Sequence, residues 1–565
     1  MRPAAKGIVR ALVLCIALAA AIAAMFQKDG WHIDEIATLG LANGSQGGYI
    51  TAYDDSRYGR GAFIRDTILG DSMGEMAGNI GGILRDIAKN GLSGFSIRDK
   101  YVAYRETSEP IWKSGAEFEE YLLADGFSVK DVYLNQILDT HPPVYYLFVR
   151  AAYALYGACG GREISLWPAF GVNALFLCLC CHMLMRIGEK RFGSFALGAG
   201  AALFFALSPA GLSLAVYMRM YMCLCFFVLC ALDAHLALWQ NGWKFDRRTG
   251  WYIALTCALG FMTHYYFAIW AIMCAAVCFA CMLREKCPGR VWGYIGRMAG
   301  GVGLSLAAWP FSPVHLLLSN RSAQAVESLG GGSVQRLVSG LDIFTDHLFG
   351  TPAWVPVALA ALGAGFALAG RREKAAGAPL CIVLVPAALY LCVVFVIAPY
   401  EDLRYMACAV PLVTIGAAWC IWQAAKRLPW KNAACTALCG CIALSGLISC
   451  EPMYLYPGTD EATAFVQEHA GKKCVFFTGS GAAFFREMPH FARYESVLIV
   501  NKGELELLQE NEVLAGEDEI VLYIHDSYPQ TEAMRAVLQL TGFSEYEVLA
   551  QSHEGLDSRV YLLKR

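Results

Sequence analysis

Two polar runs in this chain have the residue types for acid–base chemistry. Trp31-His32-Ile33-Asp34-Glu35 follows directly on the first apolar stretch, and Asp139-Thr140-His141-Pro142-Pro143 comes about a hundred residues later. Adjacent carboxylates against a membrane face are disfavoured as ions by partial desolvation and mutual repulsion, so such a pair is kept as a base or as a ligand. Three further runs set polar residues between apolar ones: Tyr217-Met218-Arg219-Met220-Tyr221, Thr263-His264-Tyr265-Tyr266 and Tyr400-Glu401-Asp402-Leu403-Arg404-Tyr405. An arginine at mid-membrane costs about 2.5–3.5 kcal/mol on an insertion scale, which puts Arg219 at or just within an interface. Each run alone has a plain reading: a snorkelling arginine, an interfacial aromatic turn, a solvated loop. His141 before two prolines has one too, because the prolines fix an extended turn into the helix that follows.

The elements that position these residues are membrane spans. The chain has 565 residues, 57% of them hydrophobic and 16% charged, far below the roughly 25% charged of globular proteins. Apolar runs near 20 residues, each long enough to cross about 30 Å of hydrocarbon, recur through the first 450 residues. Eleven spans are expected, at about 8–26, 164–186, 194–212, 220–239, 250–264, 265–283, 296–317, 352–370, 377–398, 405–425 and 433–450. The connecting segments alternate sharply in charge. Those at 1–10, 186–191, 244–248, 284–297, 371–374 and 426–431 hold 19 Lys or Arg, whereas the intervening short loops hold four. The positive-inside rule then makes the N-terminus cytoplasmic, and the odd count puts the C-terminal segment outside. A basic start and Ala-x-Ala triplets in residues 1–25 also resemble a signal peptide; the long apolar core favours a retained first span.

The expected organisation is thus a first transmembrane helix at 1–26, an extracytoplasmic loop at 27–163, spans two to eleven within 164–450, and an extracytoplasmic α/β domain at 451–565. The loop carries an insertion at roughly 45–130, and its end, 142–156, reads as an interfacial helix because it is short and interrupted by Arg150. In 451–565, apolar runs at 474–478, 496–500, 519–525 and 545–550 alternate with helix-like stretches, and the last run, 560–563, reads as an edge strand. Thr478-Gly479-Ser480-Gly481 lacks the spacing and lysine of a phosphate loop and reads as a plain turn. Nearly all of the 22 cysteines lie in or beside apolar spans, where they behave as small hydrophobes; no disulfide framework or CxxC metal pattern can be built from them.

Under this orientation Asp34, Glu35, His141, Arg219, His264, Glu401, Asp402 and Arg404 all fall on the outer face. Carboxylates, two guanidiniums and two imidazoles together point to group transfer from a phosphate-bearing substrate, since arginine binds phosphate through charge-assisted, often bidentate hydrogen bonds.

In these same motifs the chain resembles the GT-C class of integral membrane glycosyltransferases, within it the group of protein-O-mannosyltransferases and aminoarabinose transferases. The likeness rests on Asp34-Glu35 after the first span, on His141-Pro142-Pro143-Val144-Tyr145-Tyr146, on Tyr217-Met218-Arg219-Met220-Tyr221, on His264-Tyr265-Tyr266, and on Arg404-Tyr405 opening a late span. It covers about residues 8–425 in layout. The resemblance implies an inverting transfer of a sugar from a polyprenyl-phosphate carrier to a lipid, glycan or protein acceptor, at a plasma (inner) membrane. By it Asp34 is the general base with Glu35 beside it, Arg219 and Arg404 bind the donor phosphate, and His141, Tyr145, Tyr217, His264, Tyr265, Glu401 and Asp402 line the substrate site. No nucleic-acid partner is expected. Some members of the class use a divalent ion, but Asp34, Glu35, His141 and His264 show no diagnostic ligand spacing, so no obligatory metal is expected. The competing readings are a transporter or lipid-linked sugar flippase, which would also place charges near a cavity but often shows two similar halves, and an envelope scaffold, which leaves the one-sided clustering of Asp34, Arg219 and Arg404 without a purpose.

Overall fold

The structure is a computed structural model that describes residues 3–45, 49–90, 97–105, 108–137, 139–318, 332–350, 377–479, 483–509 and 511–565. The chain divides into two compact units: one of 1–26, 140–145 and 170–453, the other of 27–139, 146–169 and 454–565.

The first unit is helical. Among the described residues, six helices are long and apolar enough to cross a membrane: Pro3–Met25, Trp167–Arg191, Tyr221–Gln240, Tyr266–Arg284, Pro379–Ile397 and Lys431–Ser449. Two more apolar helices, Phe195–Leu207 and Pro209–Val216, pass the same test together and are bent by 61° at their junction, the geometry of a broken span or of a re-entrant loop. The break is built by sequence. Ser208 Oγ accepts from the Gly211 N–H at 3.0 Å, and Pro209 opens the second half with the φ a helix needs. A side chain at Gly211 would start 1.8 Å from the Phe205 carbonyl oxygen. Val410–Ala425 is a shorter apolar helix. Arg247–Phe261 and Val291–Ala308 stand where the fifth and seventh spans are expected, the first too short and the second not apolar enough to count as a crossing helix. The span expected at 352–370 lies outside the described residues. Small residues let backbones meet: a Cβ on Gly188 would lie 2.4 Å from the Gly198 Cα.

The second unit is built on one mixed six-stranded sheet. Its strands are β1 (Lys113–Ser114), β2 (Lys473–Thr478), β3 (Ser496–Asn501), β4 (Glu519–His525), β5 (Glu545–Ala550) and β6 (Ser558–Lys564), in the order β1-β3-β2-β4-β6-β5. β2 runs parallel to β3 and β4, while β6 is antiparallel to β4 and β5. Period-two alternation sends Val475, Phe477, Leu522 and Ile524 to one face, against Ala533, Met534 and Val537 of the helix Gln530–Thr541. Phe476 and Tyr523 point the other way, into an aromatic layer with Phe491 and Phe465.

Two expectations change here. The run 560–563 is not an edge: β6 lies between β4 and β5, and Val560, Leu562 and Leu563 are buried. The edge on that side is β5, whose Glu545 and Glu547 are exposed, the usual way to blunt a free edge. The sheet also recruits β1 from the 27–163 segment, too short a strand for alternation to reveal. The helix Val144–Ala158 tucks Arg150 inward: 3% exposed, it donates to the carbonyls of Gly126 and Asn43 and faces Asp131 at 3.6 Å. Of the Thr478-Gly479-Ser480-Gly481 turn, positions 480–482 lie outside the described residues.

Candidate active site

Within the first unit, polar residues from four separate stretches meet. The half-span Pro209–Val216 ends at Tyr217, and the next helix begins at Tyr221; Arg219 lies in the tight connection, its N–H donating to the Tyr217 carbonyl at 2.6 Å. Asp402 caps the short turn Leu403–Met406, accepting from the Arg404 N–H at 3.0 Å, and its other oxygen stands 3.4 Å from Arg404 Nε. Arg404 then donates to the Tyr217 hydroxyl at 2.7 Å. Tyr217 stacks on Tyr221 with an interplanar angle of 7°, Tyr221 lies against His264, and His264 lies 5.7 Å from His141 between ring centroids. Arg219 closes the group on His141 Nε2 at 3.3 Å.

Hydrogen-bond logic sets both imidazoles. A guanidinium only donates, so His141 Nε2 accepts and its ring hydrogen sits on Nδ1, 3.5 Å from Thr140 Oγ1. His264 Nδ1 accepts the Tyr266 N–H at 3.0 Å, which leaves the hydrogen on Nε2. Burial, then His141 and the two guanidiniums, push the His264 pKa well below the ordinary imidazole value, so it stays a neutral donor. The sum is two buried guanidiniums and a neutral N–H donor in one electrostatic neighbourhood. That equipment suits an anion whose charge is spread over several oxygens. With His264 Nδ1 and His141 Nε2 both engaged and two guanidiniums beside them, the histidines are arranged against holding a cation.

The turn that carries Arg219 is clamped from a span. Asn173, fully buried in Trp167–Arg191, donates to the carbonyls of Tyr217 at 2.6 Å and Ala215 at 3.2 Å. The Tyr145 hydroxyl donates to Asn173 Oδ1 at 3.0 Å, so Tyr145 acts on the turn through Asn173.

Asp34 and Glu35 belong to the second unit, and the two carboxylates differ. They open the helix Ile33–Asn43 in a capping box: His32 Nδ1 accepts the Asp34 N–H at 3.0 Å, and Glu35 accepts the His32 N–H at 2.7 Å. Glu35 also pairs with Lys28 at 3.0 Å, both side chains fully buried, whereas the Asp34 side chain keeps 34% of its surface exposed. Burial draws the Lys28 pKa below its ordinary value, offset in part by Glu35. The chain returns at 454–458 to hold this segment: Lys28 donates to the Tyr454 carbonyl, the Asp29 N–H to that of Leu455, and Asp29 accepts from the Gly458 N–H. Tyr454 and Tyr456 take φ of +68° and +52° to do so, a conformation that costs bulky residues about 1–3 kcal/mol each.

The remaining expected residues point elsewhere. Tyr265 bonds His315 at 3.0 Å and accepts from Trp309 at 3.3 Å, and Glu401 accepts from Ser339. Asn173 and Lys28 were not among the expected residues. Their signals were an asparagine inside a 25-residue apolar helix and a lysine just past a span.

No protein-family model matches the chain, and no curated protein matches it in sequence. Solved structures do. ArnT from Cupriavidus metallidurans bound to undecaprenyl phosphate superposes with a TM-score of 0.53 at 12% identity, over 98% of this chain and 97% of that one. The same protein in the apo state gives 0.46 at 13% identity over 74% and 87%. The arabinofuranosyltransferase AftD from Mycobacteria gives 0.35 at 16% over 75% and 36%. Of these three superpositions the first is close enough to define architecture, and it spans nearly both chains. By that near-complete superposition, the chain has the fold of ArnT, a GT-C aminoarabinose transferase.

Proposed function

We propose that this protein is an integral membrane glycosyltransferase that draws its sugar from a polyprenyl-phosphate carrier and passes it, with inversion, to an envelope acceptor outside the cytoplasm. The observation that carries the reading is the Arg404–Tyr217–Arg219 arrangement with the His264 Nε2–H donor beside it. The ArnT structure bound to undecaprenyl phosphate supports the donor class.

In the proposed reaction the acceptor oxygen attacks the anomeric carbon as the bond from that carbon to the phosphate oxygen breaks. The carrier phosphate leaves as a monoester, with one more negative charge than it had as a diester. Buried guanidiniums gain most where that charge develops, so they lower the barrier rather than merely tightening binding. Arg219 and Arg404 hold the phosphate, and Nε2–H of His264 is a third donor. Tyr217 fixes Arg404; Asn173 and Tyr145 fix the turn bearing Arg219. Asp34, whose role rests on the sequence resemblance, takes the acceptor proton, worth typically 10²–10⁴-fold in rate. Glu35, sequestered by Lys28, holds the helix end that carries Asp34. The broken span at Ser208 is also a device of transporters. Sugar transfer by the purified protein in nanodiscs, with extracted envelope lipids as donors, separates the two readings.

A further inference from the structure

Read from sequence, the cysteines of the spans are small hydrophobes, yet the fold gathers two of them around a histidine. Cys274 and Cys278, four apart on Tyr266–Arg284, share one face of that helix. His235 comes from Tyr221–Gln240. One nitrogen of the ring and the two sulfurs all lie within 4.8 Å of one another, and all three residues are buried. A third helix, Val291–Ala308, adds Tyr294, whose hydroxyl is 2.8 Å from His235 Nε2 and within hydrogen-bond reach of the Cys278 thiol.

The ring is set for ligation. Nδ1 lies 2.7 Å from the Ala231 carbonyl one turn earlier. A carbonyl only accepts, so the hydrogen is on Nδ1 and the lone pair of Nε2 faces Tyr294. This backbone hydrogen bond is the usual way a metal-binding histidine is oriented. Trp270 supplies a second observation. Its indole N–H is buried with no hydrogen-bond partner among the described residues. It sits one turn before Cys274, with its ring edge-on to His235 at 6.5 Å. A thiol satisfies such a donor poorly; a thiolate satisfies it well.

We propose that His235, Cys274 and Cys278 bind a thiophilic divalent cation of the zinc type, with the Tyr294 hydroxyl at the fourth position. Binding releases both thiol protons to solvent and forms two metal–sulfur bonds, one metal–nitrogen bond and one metal–oxygen bond to the neutral Tyr294 hydroxyl, which gives up its hydrogen bond to His235 Nε2. Two thiolates cancel the charge of the cation, so the centre is neutral, the form that apolar surroundings disfavour least. Ligand atoms around tetrahedral zinc stand about 3.5–4 Å apart, a modest closing of the 4.8 Å cluster. Soft sulfur ligands select this class over magnesium or calcium. The ion would tie three helices together, and the proposal is independent of the transferase reading.

The test is metal content and spectroscopy on the full-length protein in detergent. Dialysed against zinc and desalted, the wild type is expected to retain about one zinc per chain, and Cys274→Ser/Cys278→Ser close to none. Cadmium titration should raise a thiolate charge-transfer band in the ultraviolet that saturates at one equivalent, is absent from the double variant and is weakened at least tenfold in affinity by His235→Gln. Folded wild type with no zinc and no band overturns the proposal, even if neither variant folds. A band that survives in the double variant also overturns it, because the metal then sits on other thiols.

Discussion

The Arg404 guanidinium donates to the Tyr217 hydroxyl at 2.7 Å, joining residues 187 apart in sequence. Tyr217 is in turn the residue whose carbonyl Asn173 and Arg219 both engage. One side chain therefore fixes one guanidinium while its own backbone fixes the turn of the other.

Removing that link should weaken carrier binding through charge. A hydrogen bond to a charged group is worth about 1.5–3 kcal/mol, or roughly 10–100-fold in affinity. Arg404→Ala is expected to lose that much for undecaprenyl phosphate and little for the neutral polyprenol. Tyr217→Phe should lose less, in the same direction. Equal losses for both lipids, measured by competition in nanodiscs, would remove the phosphate role.

The adjacent carboxylates should separate by readout. Asp34→Asn is expected to melt like wild type and lose roughly 10²–10⁴-fold in transfer rate. Glu35→Gln and Lys28→Met each leave a buried partner behind, which costs about 3–5 kcal/mol. Those two should unfold earlier, and the double variant should recover part of the loss. A stable Glu35→Gln with no activity would instead put Glu35 in the chemistry.

Asn173 should behave as a clamp. Asn173→Ala leaves two buried carbonyls short of a donor and is expected to cost kcat more than carrier affinity. Tyr145→Phe should show a weaker form of the same effect. Because Tyr145 acts through Asn173, the double variant should be little worse than Asn173→Ala, a coupling of about 0.5–3 kcal/mol. Strict additivity would break the chain from Tyr145 to the turn.

The sheet unit should respond to pH. Glu487 is buried, and burial raises its pKa to about 8, while burial lowers that of its neighbour His490 to about 4. The folded form keeps a Glu487 proton that the unfolded chain has already released, so Glu487 stabilises less as pH rises towards 8. His490 works in the opposite sense, but only below its ordinary 6.5. From pH 6.5 to 8 His490 no longer opposes the Glu487 trend: hydrogen exchange across β2, β4 and β6 should show falling protection, and Glu487→Gln should flatten it. Rising protection in that window would contradict the assignment.

What the sequence made legible, and what it hid, follow from physical cost. Arg219, Arg404, His141 and His264 were visible because polar groups between apolar runs are expensive, and the structure gathers all four. Asn173 was hidden because one amide in an apolar helix carries no spacing, and its meaning depends on a carbonyl 44 residues away. The split between Asp34 and Glu35 was equally hidden, since only the fold shows which carboxylate Lys28 takes. In the sheet, charged Glu545 and Glu547 marked the edge more truly than the terminal position of β6.

The central claim meets its most direct test in a transfer assay. Wild type, Arg404→Ala and Asp34→Asn would be placed in nanodiscs with extracted envelope lipids, and lipid, glycan and protein acceptors followed by mass spectrometry. The account predicts a hexose- or pentose-sized gain with wild type, strongly reduced in both variants. No gain across the panel from folded wild type, or a gain that neither variant diminishes, would contradict it.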